Sequence, residues 1–289
     1  MDYFEPKTVD EALSLLDRHG EQAEVIAGGT DVMVDIKYSE EPGCLVNIKR
    51  IPDLTAIGED NGGVRIGALA TIHDLEESDL VRERLPLLWQ AAHQFASLQI
   101  RNTATIGGNI CRASPSGETL APLLVLEAQA ELAFSDGART EPFSAFFRGP
   151  GQTSLGSKGL LTGITVPFPA AGSHAAYLKH AVRGPMDIAM VGVAVMATAN
   201  ADKTALDDVR IGLGAVAPTP IRASRTEAMV SGKALDAALL KEAGESSASE
   251  SSPITDQRSS GEYRGWIVDA LTRRGLEQCW QALTGKEVA

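Results

Sequence analysis

Two Gly-Gly pairs, each followed directly by a hydroxyl or amide side chain, constrain this sequence more than any other feature. Gly28-Gly29 follows a short apolar run and precedes Thr30, and Gly107-Gly108 precedes Asn109. Because glycine lacks a Cβ atom, backbone N–H groups at such positions can close on a phosphate. Two such segments far apart in the chain predict one long ligand held from two sides, which is the shape of a dinucleotide.

Size, charge and cysteine content limit the class of protein. The chain has 289 residues, of which 44% are hydrophobic, enough to bury a core in roughly one to three domains. Its formal net charge of -12 argues against nucleic acid as a partner. Three scattered cysteines suit a reducing compartment. We expect a cytoplasmic protein without a signal peptide or a transmembrane segment.

Residues 1–54 predict alternating helices and strands, with the first glycine pair at a strand-to-helix turn. A helix N-terminus favours an anion, so this turn is a candidate phosphate site. A plain tight turn is the alternative for the glycines, and compensation of the helix dipole is the alternative for Asp31. The predicted elements are a helix from a capping box at 8–11 to about Gly20, a strand at 23–27, a helix at 31–38 capped by Thr30, and a strand at 45–48.

Residues 55–172 and 173–289 predict two further regions. Asn61-Gly62 between apolar runs indicates a hairpin, and Thr71 is a candidate helix cap. The Ser-rich stretch 244–261 predicts a loop or mobile linker. The other predicted elements are helices at 85–96 and 266–283 and strands at 130–134, 160–166, 188–199 and 209–216.

The second glycine segment is the more specific of the two. Small polar residues, among them Ser114, extend from Gly107 to Gly117 and predict a polar loop between apolar elements. Glu118 directly behind them could accept ribose hydroxyls, as acidic residues do in dinucleotide sites, or could be an ordinary surface carboxylate.

The sequence gives little support for a second dinucleotide site, for zinc binding or for iron–sulfur ligation. Gly212-Leu213-Gly214 matches a loose dinucleotide fingerprint, but Pro218 and Pro220 follow where its helix would begin. No histidines have zinc-ligand spacing, and the cysteines are not clustered for iron–sulfur ligation. We therefore expect no catalytic and no metal-binding residue in this chain, and a bound redox cofactor that supplies the chemistry.

Several motifs in one order resemble the FAD-binding medium subunit of the molybdenum hydroxylases, the family of xanthine dehydrogenase, aldehyde oxidoreductase and carbon monoxide dehydrogenase. The resemblance covers nearly the whole chain. Its motifs are Ala27-Gly28-Gly29-Thr30-Asp31, Gly67-Ala68-Leu69-Ala70-Thr71, 105–109 with Ala113-Ser114-Pro115, 179–183, Asp187-Ile188-Ala189, Tyr263-Arg264 and Arg273-Arg274.

The resemblance implies FAD contacts from both glycine segments and from several single residues. Glu118 stands where the family usually has Asp, so its side chain is one methylene longer. Lys179 is implied to reach the flavin ring or its edge; a solvated strand charge is the alternative. The implied contacts are Val25, Ile26, Ala27, Gly28, Gly29, Thr30, Asp31, Val32, Phe95, Thr105, Ile106, Gly107, Gly108, Asn109, Ser114, Glu118, Leu161 and Lys179.

The resemblance also implies a fold, partners and a function. The expected fold class is α+β, with a vanillyl-alcohol-oxidase-like (PCMH-type) FAD-binding fold of two subdomains (1–54 and 55–172) and a C-terminal α/β domain (173–289). A large partner would hold the molybdenum cofactor, and a small partner with two [2Fe-2S] clusters would pass electrons through FAD to NAD, a quinone or another acceptor. The expected assembly is a dimer of heterotrimers. Two alternatives stay open, a stand-alone FAD-dependent oxidase or dehydrogenase of this fold and a non-redox nucleotide-binding module.

Overall fold

Helices and short strands alternate along the chain in the computed structural model, which describes residues 1–38 and 41–288. The helices are α1 Val9–His19, α2 Val32–Tyr38, α3 Ile72–Glu77, α4 Asp79–Arg84, α5 Pro86–His93, α6 Leu98–Arg101, α7 Ile106–Arg112, α8 Leu120–Val125, α9 Phe143–Phe146, α10 Ser224–Val230, α11 Ala237–Glu250 and α12 Gly261–Thr284. The strands are β1 Asp2–Phe4, β2 Ala23–Ile26, β3 Cys44–Asn47, β4 Ile57–Asp60, β5 Gly63–Gly67, β6 Gln129–Phe134, β7 Gly137–Pro142, β8 Phe147–Gly149, β9 Gln152–Thr153, β10 Leu160–Pro167, β11 His174–His180, β12 Val191–Ala199, β13 Leu206–Gly214 and β14 Ile221–Arg222.

The first of two compact units comprises residues 1–80, 97–114 and 127–167. It contains a parallel sheet of order β1-β3-β2 and an antiparallel sheet of order β4-β5-β10-β6-β7. Buried apolar residues of α1, such as Leu13 and Leu16, share one core cluster with Val46 of β3 and Leu160 of β10. Strand β2, which leads into the first glycine pair, therefore lies at an edge of the parallel sheet.

Local sequence signals explain several elements of this unit. Asn61 and Gly62 have φ values of 42° and 84°, as the two central residues of a tight hairpin turn between β4 and β5 require. Thr71 and Asp74 form a reciprocal capping box at the start of α3. Thr8 accepts a hydrogen bond from the N–H of Glu11 at the start of α1. The hairpin and both caps are confirmed.

The second unit comprises residues 81–96, 115–126 and 168–289. It contains an antiparallel sheet of order β11-β12-β13-β14. Val193 and Val195 of β12 share a core cluster with Leu276 and Trp280 of α12. A Cβ atom on Gly275 would lie 2.6 Å from Cγ2 of Val195, so α12 can lie this close to the sheet only with glycine at that position.

The structure corrects the first part of the predicted loop at 244–261, whereas residues 251–260 do form a connection between α11 and α12. Residues 244–250 belong to α11, with Ala243, Gly244 and Ser247 buried. A Cβ atom on Gly244 would overlap the carboxylate of Asp269 on α12. Small residues here permit close helix–helix packing, which their composition alone, typical of a linker, does not reveal.

Two further predictions about elements are wrong in detail, and one strand is missing from the predicted elements. Helix α2 begins at Val32, so Asp31 rather than Thr30 directly precedes it. The second glycine pair lies inside helix α7 rather than in a loop. Strand β1 was not predicted, because three residues show no periodicity. The Gly212-Leu213-Gly214 fingerprint lies at the end of β13, within the strand predicted at 209–216.

Within the described residues, no helix combines the length and the apolar composition needed to cross a membrane. The domain boundaries expected near residues 54 and 172 stay a prediction.

Candidate functional site

The first glycine pair forms the turn between β2 and α2. Gly29 has a φ of 75°, a left-handed conformation that side chains other than glycine rarely adopt. Among the described residues, the backbone N–H groups of Gly29, Thr30, Asp31 and Val32 find no hydrogen-bond acceptor. This loop therefore offers four consecutive donors to an anion.

The second glycine pair forms the first turn of α7, and its donors are already used. The N–H of Ile106 donates to Ala70 O at 2.9 Å and that of Gly107 to Ala68 O at 2.9 Å. The N–H of Gly108 donates to Thr105 Oγ1 at 3.0 Å, and that of Asn109 donates to Thr105 O at 3.0 Å. Unpartnered N–H groups are therefore found at the first segment, and the expected phosphate contacts of both segments stay predictions.

The two glycine segments are neighbours within the first unit. A Cβ atom on Gly28 would overlap the carbonyl of Thr103, two residues before the cap of α7. A β-bridge joins Thr71 to Thr105, so the Gly67-to-Thr71 motif also contacts this segment. The sequence identifies all three motifs but predicts no contact among them.

Glycine occupies the four positions of the two pairs for different physical reasons. Gly28 and Gly107 permit close backbone approach, because a Cβ atom on Gly107 would lie 2.6 Å from Ala68 O. Gly29 supplies the left-handed φ. Gly108 is exposed, and a Cβ atom there would meet only Thr105 Oγ1, at 3.0 Å. Gly108 thus leaves exposed backbone that a ligand can approach, on the segment that neighbours the first glycine pair.

We expect Gly107→Ala to destabilise the cofactor-free protein and Gly108→Ala to leave its stability nearly unchanged. The new methyl at position 107 meets a backbone carbonyl that cannot move aside, at a cost of about 1–3 kcal/mol. At position 108 the tight contact with the Thr105 hydroxyl offsets a helix-propensity gain of about 1 kcal/mol. Urea unfolding of both variants checks this, and equal stability of the two would contradict the assignment of Gly107 to packing.

Three carboxylates and one guanidinium surround the first loop. Arg112, the last residue of α7, hydrogen-bonds both carboxylate oxygens of Asp35 and lies 3.6 Å from Oδ1 of Asp31. The hydrogen bond with Asp35 raises the pKa of Arg112. Burial and then the charge of Asp35 raise the pKa of Glu24, whereas Arg112 lowers it. Sequence reasoning missed Arg112 and Asp35, because charged residues at helix ends are common on any surface.

Within the second unit, Lys179 of β11 is buried, contrary to the alternative of a solvated strand charge. Its side chain is 2% exposed and its ammonium lies 2.8 Å from Glu118 Oε1. The ammonium also donates to the carbonyls of Gln94 and Pro185, at 3.2 and 2.8 Å. Three acceptors match its three hydrogens. Glu118 is likewise no ordinary surface carboxylate, since its side chain is 10% exposed.

Two glutamine side chains, one in α5 and one directly after it, hydrogen-bond to the backbone of β11 at the edge of its sheet. Gln90 accepts from the N–H of Tyr177 at 2.8 Å and donates to Ala175 O, and Gln94 donates to Tyr177 O. These bonds satisfy an edge strand that would otherwise expose its backbone. Burial, and then the charge of Glu118, raises the pKa of Tyr177 well above its usual value.

The remaining implied contacts are distributed over both units. Phe95 is buried in the second unit and Leu161 in β10 of the first. Val25 and Ile26 end β2 half-buried, and Asn109 and Ser114 are also half-buried. The geometry thus makes the first loop the strongest candidate for a phosphate contact, and the other implied FAD contacts stay predictions.

The residues of the first unit fit a pyrophosphate-containing cofactor. Four unpartnered N–H groups can donate to phosphate oxygens, which are strong acceptors of such hydrogen bonds. The exposed backbone at Gly108 adds a second surface without a side chain. A redox cofactor held here would supply chemistry that the described side chains do not.

Two family models match the chain. Residues 1–169 match the FAD binding domain in molybdopterin dehydrogenase, and residues 176–279 match the CO dehydrogenase flavoprotein C-terminal domain.

The matches to known proteins of similar sequence and structure cover nearly the whole chain. A putative xanthine dehydrogenase FAD-binding subunit of Escherichia coli (strain K12) is 32% identical over 98% of this chain and 97% of its own length. The structure of a carbon monoxide dehydrogenase from Hydrogenophaga pseudoflava that lacks the Mo-pyranopterin moiety aligns with a TM-score of 0.94 and 34% identity over 98% of both chains. Quinoline 2-oxidoreductase from Pseudomonas putida 86 aligns with a TM-score of 0.92 and 25% identity over 98% of both chains. The expected α+β fold, an FAD-binding region followed by a C-terminal flavoprotein domain, is confirmed.

Proposed function

This chain belongs to the FAD-binding medium subunits of the molybdenum hydroxylases, and we propose that it carries electrons from the [2Fe-2S] clusters of a partner to an acceptor by way of FAD. Members of the family are subunits of oxidoreductase complexes, and an FAD-binding domain makes up the first part of this chain. When bound, FAD supplies the chemistry of electron transfer and hydride transfer.

One observation carries the proposal for this chain's own residues. Gly29, Thr30, Asp31 and Val32 present consecutive backbone N–H groups without acceptors among the described residues, in a loop that needs glycine for its left-handed turn. We propose that this loop binds the FAD pyrophosphate. The N–H groups bind and orient the phosphates, and the open backbone at Gly108 leaves room for the rest of the cofactor.

Membership of the family supports a proposal for the partners and the acceptor. We propose a large subunit with the molybdenum cofactor, where the organic substrate is oxidised, and a small subunit with two [2Fe-2S] clusters, in a dimer of heterotrimers in the cytoplasm. NAD or a quinone would be the final acceptor. The row of N–H groups in the first loop favours a bound dinucleotide. It does not distinguish between NAD and a quinone as the final electron acceptor.

Purification of a tagged chain from its native source tests this function. We expect two further chains to copurify, one with molybdenum and one with iron and the visible spectrum of [2Fe-2S] clusters. A single chain that oxidises an organic donor unaided would contradict the subunit role and favour a stand-alone flavoprotein. Copurification of partners without any iron would contradict the proposed electron path.

A further inference from the structure

Helix α2 extends from the first glycine loop, yet no hydrophobic core fixes its position. None of its seven residues, all within the described chain, is buried. Met33, Val34 and Tyr38 expose 55%, 52% and 76% of their surface. Packing of an apolar face supplies most of the stability of short helices in proteins. Val32 and Ile36 are only half-buried, so polar contacts contribute to holding this helix and the loop before it.

Arg112 makes that polar contact. Its two terminal nitrogens donate to the two carboxylate oxygens of Asp35, in the middle of α2, with Nη2 at 3.2 Å from Oδ1. Its Nε lies 3.6 Å from Oδ1 of Asp31, in the loop itself. A forked guanidinium–carboxylate pair fixes orientation as well as distance. Because Arg112 ends α7, this single side chain ties the first glycine loop to the helix that begins with the second glycine pair.

We propose that Arg112 is a positioning residue for the cofactor site, which acts by holding Asp35 and Asp31 so that the N–H groups of residues 29–32 stay aimed at the phosphates. This inference rests on the proposed FAD site. Arg112 has a second effect at the same place, because it offsets the charges of Asp35, Asp31 and Glu24. Without it, the charges of these three carboxylates would face an incoming anion without the compensation that Arg112 supplies.

Substitutions of the two partners separate positioning from simple charge. Arg112→Gln removes the tie and leaves the carboxylates uncompensated, so both effects weaken FAD binding. Asp35→Asn also removes the tie but takes away one negative charge. If charge alone matters, Asp35→Asn binds FAD more tightly than the wild type. If positioning matters, it binds FAD more weakly, by about two- to fivefold, as expected for one half-exposed pair.

The experiment is a titration of the full chain, freed of flavin, with FAD, followed by quenching of flavin fluorescence and by visible circular dichroism of the bound flavin. We expect weaker binding and an altered flavin spectrum for Arg112→Gln and Asp35→Asn, and a double variant that binds no more weakly than Arg112→Gln. Arg112→Lys, which keeps the charge without the fork, should recover part of the affinity. Arg148→Gln, which breaks an exposed pair with Glu141 in the same unit, serves as the matched control and should bind like the wild type.

The outcomes distinguish this inference from the function on which it rests. Wild-type binding of FAD with unchanged or tighter binding by Asp35→Asn would overturn the positioning role alone. A wild-type chain that binds no FAD would overturn the proposed function and the positioning role with it. Equal weakening in Arg148→Gln would show a general charge effect and would also overturn the positioning role.

Discussion

Gly29→Val is expected to abolish FAD retention while the cofactor-free chain stays folded. Valine disfavours the φ of 75° that Gly29 adopts, because its branched Cβ clashes with the backbone in the left-handed region. The loop must then rearrange, and its N–H groups no longer point together at one anion. Loss of two charge-assisted hydrogen bonds, each contributing about 1.5–3 kcal/mol, weakens binding by about a hundredfold or more.

A matched control separates loss of the site from backbone strain. Gly20, after α1 in the same unit, also has a left-handed φ, of 54°, and a Cβ atom there would meet nothing within 4 Å. Gly20→Val should therefore show a similar fall in the free energy of unfolding and normal FAD content. Flavin absorbance per chain after gel filtration measures the difference. Full flavin occupancy in Gly29→Val, or equal loss in Gly20→Val, would show that the phosphate site lies elsewhere.

Lys179→Met is expected to be strongly destabilising. It leaves the Glu118 carboxylate, 10% exposed, without its cation, and loss of one partner of a buried ion pair costs about 3–5 kcal/mol. Replacement of both partners, in Glu118→Leu with Lys179→Met, should recover part of that loss, because no charge then stays buried. Lys241→Met, whose partner Glu245 is more than half exposed, should unfold like the wild type.

The cost of Lys179→Met should also depend on pH. Burial raises the pKa of Glu118 and the charge of Lys179 lowers it, so removal of the lysine raises that pKa further. When the pKa of a carboxyl is higher in the folded than in the unfolded chain, its contribution to the free energy of unfolding is greatest below the unfolded pKa. That contribution is lost as pH rises through the folded pKa. Urea unfolding at pH 5 and pH 8 should give a smaller deficit at pH 5. A deficit that is equal or larger at pH 5 would show that Glu118 is not held as a buried carboxylate.

Local signals in the sequence predict elements wherever one or two residues decide the geometry. Asn61-Gly62 fixes a hairpin because both positions need a positive φ, and Thr71 with Asp74 fixes a helix start because each satisfies the other's backbone. Composition misleads where packing decides. The serines, alanines and glycine of α11 look like a linker, and they form a helix because small side chains let α12 approach.

The candidate site shows the same division. The sequence identifies both glycine pairs, but it does not reveal that the donors of the second pair are engaged by Ala68, Ala70 and Thr105. The bonds to Ala68 and Ala70 join segments more than thirty residues apart in the chain, and no local pattern encodes them. The pairing of Lys179 with Glu118 is hidden for the same reason, since the two residues lie 61 positions apart.

Flavin content of the purified chain tests the central claim most directly. The wild-type chain, saturated with FAD and passed through gel filtration, should retain FAD near one per chain, with the bound dinucleotide released only on denaturation. Identification of the released compound as FAD distinguishes it from FMN, which lacks the pyrophosphate that the first loop would hold. A chain that stays colourless after this treatment, or that retains FMN equally well, would contradict the assignment of residues 29–32 as the pyrophosphate site.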